Sequence, residues 1–144
     1  MSNDTDRKSL AANFERHADE EGKILAQYRA LSEKLGDGDL GSLVSHILTE
    51  EELHHLLLRT MSQWLREPSG KGRALPPEAT RAELLRLTQA LQRHEQETIH
   101  ACRTLELQLA GEREEILVTL LNAMILDSEK HRRLLAAVAK LLQQ

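Results

Sequence analysis

Glu51 and His54 stand three residues apart, a spacing that stacks both side chains on one face of a helix, one turn from each other. A degenerate copy occurs at Asp127-Ser128-Glu129-Lys130-His131. The stretch from Glu50 to Leu58 aligns with Asp127 to Leu135 without a gap, Glu50 on Asp127, Glu52 on Glu129 and His54 on His131. Glu21 and Glu95 add lone carboxylates in two other helical segments. Carboxylate oxygens and imidazole nitrogens are ligands for divalent first-row metals, and in the absence of a metal they can share protons in a hydrogen-bonded network. One of the two is required, because ionisable groups on an apolar helical stripe are costly unless paired or ligated.

The elements that must position these groups are marked by Gly and Pro. Gly36-Asp37-Gly38-Asp39 reads as a tight turn with Asp39 placed to cap the next helix, and Ala110-Gly111 reads as another turn. All three prolines lie between Glu67 and Pro77. Four helices are expected, at about 6–35, 40–66, 80–110 and 112–143. Thr80 and Glu83 have capping-box spacing, and Glu112, Glu114 and Glu115 favour the positive end of the fourth helix. The short turns make helices 1–2 and 3–4 antiparallel hairpins. The crossover from Glu67 to Ala79 can stretch to about 43 Å at roughly 3.3 Å per residue, enough to cross a bundle. The expectation is one all-α domain over residues 1–144, a four-helix bundle of two hairpins joined by a long connection.

One residue every three or four positions gives a stripe for each helix. Helix 1 offers Leu10, Phe14, His17, Glu21, Leu25, Tyr28, Leu31 and Leu35, and helix 2 offers Leu40, Val44, Ile47, Glu51, His54, Leu58, Met61 and Leu65. Helix 3 offers Leu84, Thr88, Leu91, Glu95, Thr98, Cys102, Leu105 and Leu109. Helix 4 offers Leu117, Leu120, Met124, Asp127, His131, Leu134, Val138 and Leu141. Every stripe carries a carboxylate. At about 1.5 Å rise per residue, Glu21, Glu51, Glu95 and Asp127 each lie roughly 18–24 Å from the turn of their own hairpin, so the four are expected at one level.

These residues resemble the ferritin-like di-iron carboxylate proteins, the rubrerythrin and bacterioferritin branches especially, over essentially the whole chain from Leu10 to Leu142. In that family the first and third helices each give a lone Glu, and the second and fourth give a Glu-x-x-His pair. Glu21, Glu51, His54, Glu95 and His131 match by position. Ser128 occupies the seat of the fourth-helix Glu, and Asp127, four residues before His131, is expected to stand in for the missing ligand. The resemblance implies iron, two per chain, with manganese or zinc as alternatives. It implies oxidation of ferrous iron or reduction of oxygen or peroxide, in iron handling or oxidative-stress defence, a ferroxidase- or peroxidase-like activity where the site is intact. Tyr28, seven residues after Glu21, matches a Tyr common in these proteins and would be a redox relay. The chain has no Cys-x-x-Cys pair for a rubredoxin-like electron-transfer module, and no further helix follows Gln144 as in large storage cages.

Composition is consistent with this reading. Aromatics are confined to Phe14, Tyr28 and Trp64, and β-branched residues form no alternating runs, so a sheet is not expected. The net charge of −4 is spread over interleaved acids and bases, which argues against nucleic-acid partners. No apolar run approaches the roughly 18 residues of a membrane span, and the polar N-terminus with a single Cys102 points to a reducing cytoplasm. Two other readings compete. His46-x-x-x-Glu50 has the spacing of hemerythrin-like di-iron oxygen binders, with His17 and His94 on other helices. A metal-free helical interaction module would use Leu85, Leu107, Leu121, Leu126, Leu135 and Leu142, which lie off the chosen stripes, and these leucines also suggest a homodimer or higher homo-oligomer. His55 and His100 fall off the stripes and are expected at surfaces or interfaces.

Overall fold

The computed structural model describes residues 2–67, 75–112 and 114–144. It is all-helical, with α1 Ser2–Leu35, α2 Asp39–Arg66, α3 Glu78–Gln108 and α4 Glu115–Leu142, and no strand among the described residues. The chain forms two compact units, Met1–Ala74 and Leu75–Gln144, the first built by α1 packing on α2 and the second by α3 packing on α4. Most of the crossover expected between Glu67 and Ala79 lies outside the described residues.

The helix ends show what local chemistry sets them. Gly36 and Gly111 both adopt positive φ, 71° and 92°, which glycine reaches without a Cβ penalty. Gly41 is buried so close to the Gly36 carbonyl that a Cβ there would collide with backbone. Asp39, expected as a cap, is instead the first residue of α2, after Gly38 at the N-cap, and its carboxylate sits in the first turn where the helix dipole favours it. The capping box at Thr80 and Glu83 does not form either. Pro77, with a fixed φ and no N–H to satisfy, takes the N-cap, and the Thr80 hydroxyl donates to its carbonyl at 2.9 Å.

In the first unit the seam is made of small residues. Ala11 and Ala18 are fully buried and Leu25 nearly so, a line at intervals of seven residues on α1. Polar bonds cross it: the Ser62 hydroxyl shares its one proton between the Ala11 carbonyl at 3.0 Å and Glu15 Oε1 at 2.9 Å, His55 Nδ1 meets the Ala18 carbonyl at 2.8 Å, and Ser32 and Ser45 hydroxyls lie 3.4 Å apart. Partner numbers fall along α2 as they rise along α1. This corrects the expected stripes, because Leu10, Leu31, Leu40 and Ile47 remain 40–58% exposed. The apolar arc is broader than the contact line, and the contact line falls where small side chains let the helices approach.

The second unit is closed by Ile99, Cys102 and Ile125, with Leu121 packed against them and Thr88, Ser128 and Leu142 also buried. The Thr88 hydroxyl donates to the Leu84 carbonyl at 2.8 Å, which permits its burial. Leu117, Met124, Leu134, Val138 and Leu141, expected as core, are 43–59% exposed. Of the leucines read as surplus, Leu142 and Leu121 belong to the seam, while Leu107 and Leu126 are exposed.

Candidate metal centre

On α1 and α2 the lines flanking the small-residue seam carry Glu21, Glu51 and His54. One ligand atom from each lies within 4.8 Å of the other two, so the three side chains can share one ion. Their neighbourhood is graded: the Glu51 side chain is 23% exposed and the His54 side chain 53%, with His54 Nδ1 3.8 Å from Glu51 Oε1. Glu21 Oε1 is buried and has no hydrogen-bond partner among the described residues. A buried carboxylate oxygen left unpaired carries a desolvation cost that a bound cation would offset. Two carboxylates and an imidazole, open to solvent on the His54 side, suit a divalent ion with coordination positions left for a further ligand.

The second unit brings its acid and histidine together differently. Glu95 Oε1 and His131 Nδ1 are 3.3 Å apart, the Glu95 side chain being only 17% exposed, so this pair is already joined by a hydrogen bond. Asp127, read as the replacement for the missing Glu, has its carboxylate 3.7 Å from Lys130 Nζ. Ser128 is buried at 5% exposure, a place that accepts a short hydroxyl and would strongly disfavour an unpaired carboxylate. Within this unit the described residues gather a pair of ligand groups, where the first unit gathers three.

Tyr28 is half-buried on α1, and His46 and Glu50 are half-buried on α2. His17 is exposed and lies 3.7 Å from Glu20, while His94 and His100 are exposed on α3. His55 is the residue that the stripe reading missed. It is half-buried in the seam, with Nε2 accepting from Arg59 Nε at 3.2 Å, and Arg59 in turn paired with Asp19 at 3.3 Å. Ala18 and Gly22, one turn apart on α1, were the signal that could have found it, since paired small residues leave room for a side chain from a neighbouring helix. Comparison with known proteins gives no matching family model, no matching curated protein and no matching solved structure.

Proposed function

We propose that this chain is a ferritin-like metal-binding protein, built of two antiparallel helical hairpins, that holds non-haem iron through Glu21, Glu51 and His54. Manganese and zinc suit the same donors. Glu95 and His131, with Asp127 in place of the acid missing at Ser128, supply the ligands of a second position. The observation that carries the reading is the convergence of three ligand atoms within 4.8 Å around a carboxylate whose buried oxygen lacks any partner.

Iron held by Glu21, Glu51 and His54 would supply one-electron redox chemistry, oxidation of ferrous iron being balanced by reduction of oxygen or peroxide. The chain's own groups account for placement. Glu21 presents an oxygen already stripped of water, Glu51 and His54 approach from one turn of α2, and the exposed edge of His54 keeps an approach from solvent. Tyr28, two helical turns from Glu21, would be the redox relay of this reading.

Metal content tests this directly. The untagged protein is reconstituted with ferrous iron in air while near-ultraviolet absorbance is followed, and iron, manganese and zinc per chain are measured. Iron at about two per chain with a growing ferric absorbance is expected. Metal near zero after reconstitution would overturn the reading in favour of a metal-free interaction module. The exposure of Leu107 at 76% and Leu126 at 65% favours that second reading.

A further inference from the structure

His55 is adjacent to a proposed ligand but its ring is committed elsewhere. A carbonyl can only accept, so Nδ1, 2.8 Å from the Ala18 oxygen, carries the ring proton; a guanidinium can only donate, so Nε2, 3.2 Å from Arg59 Nε, is the acceptor. Both ring nitrogens are thus engaged, and neither is left for a metal. The Ala18 carbonyl is also the one that Gly22 N–H bonds in the α-helical ladder, and Glu21 lies within that turn. His55 thus grips α1 at the turn that carries Glu21, from the α2 turn that comes after Glu51 and includes His54. Gly22 faces the ring, and a Cβ there would meet His55 Cε1 at 3.4 Å, in ordinary van der Waals contact.

We propose that His55 is a positioning residue for the Glu21–Glu51–His54 site, holding α1 and α2 in the register that brings the three ligand atoms together. The inference rests on the metal-site reading above. A seam lined by Ala11 and Ala18 has few large side chains to resist sliding, so directional bonds must set the register. A slip of one residue would move Glu21 by about 1.5 Å along the seam, enough to break a coordination geometry that tolerates far less. The crossings from Ser62 to Ala11 and between Ser32 and Ser45 meet α1 about three helical turns to either side of Glu21, whereas His55 makes its crossing at the site itself.

Cobalt(II) is the probe, because its visible bands report ligand geometry independently of any turnover. Wild-type protein, His54→Ala, His55→Leu, His55→Gln and Gly22→Leu are titrated with cobalt(II), with helicity checked by circular dichroism. Wild type should bind and His54→Ala should lose binding; failure of wild type to bind would sink the metal-site reading itself. His55→Leu, similar in bulk but lacking the donor, should keep its helicity, weaken binding about tenfold and shift the bands. His55→Gln, which retains an N–H donor, should recover most of the affinity. A folded His55→Leu with wild-type affinity and spectrum overturns the proposal while leaving the site standing. If His55→Leu does not fold, Gly22→Leu decides: beyond the Cβ, which would make only ordinary contact, it puts bulk against the same ring from the other helix, and an unaltered spectrum there overturns the proposal.

Discussion

Glu21 illustrates how a proposed metal ligand can oppose stability. Its Oε1 is buried without a partner, a cost of about 1–3 kcal/mol in the metal-free protein that an apolar side chain would not incur. Glu21→Leu is therefore expected to stabilise the apo form by about 1 kcal/mol and to abolish binding at that position. Urea unfolding with and without manganese checks both halves. Wild type should gain stability with metal by mass action, while the variant should begin higher and gain nothing. An apo variant less stable than wild type would show that Glu21 is a structural residue whose oxygen finds water in solution. At this scale the juxtaposition of Glu51 and His54 was legible, because their spacing alone fixes a shared face. Ser128 was legible as a missing acid but not as a seam residue. Its neighbours in sequence do not show that the α3–α4 contact line runs through it rather than through Asp127.

Between α1 and α2 the contact is pinned by bonds as much as by apolar burial. Glu15 accepts from Ser62 Oγ at 2.9 Å and from Arg66 Nε at 3.0 Å, and these bonds, that to Arg66 foremost, hold its carboxyl below the usual 4.5. A carboxyl whose folded pKa is depressed adds stability that is fully present above its unfolded value and lost as pH falls through the folded one. The first unit should therefore soften below about pH 4.5 by a component that Glu15→Gln removes. Thermal unfolding of both proteins between pH 3 and 7 is the check, and parallel curves would exclude Glu15 as the source. The helices and their glycine turns were legible from punctuation and periodicity, since a Gly at positive φ and a Pro without an N–H act locally. The seam was not. A hydropathy stripe selects Leu10 and Leu40, whereas the contact line belongs to Ala11, Ala18 and Ser62, small residues whose importance arises only when another helix comes close.

The whole molecule keeps an unusual amount of its leucine outside either seam. On α4 alone Leu126, Leu134 and Leu141 are each at least half exposed. Apolar rows of this extent on a chain with a net charge of only −4 are poorly protected against association. None of the four helices, among the described residues, is long and apolar enough to cross a membrane, so lipid burial of a spanning helix does not account for the rows. Self-association is the expected outcome at micromolar concentration, as a homodimer or larger closed assembly. Sedimentation velocity of wild type and Leu134→Glu provides the test. Leu134 is 59% exposed, so the substitution adds charge to the row without opening either seam. A shift of the variant toward monomer, with helicity and cobalt(II) binding retained, would assign the row to contact between copies. A wild type that sediments as a monomer across the concentration range would remove self-association as the reason for the exposed leucines.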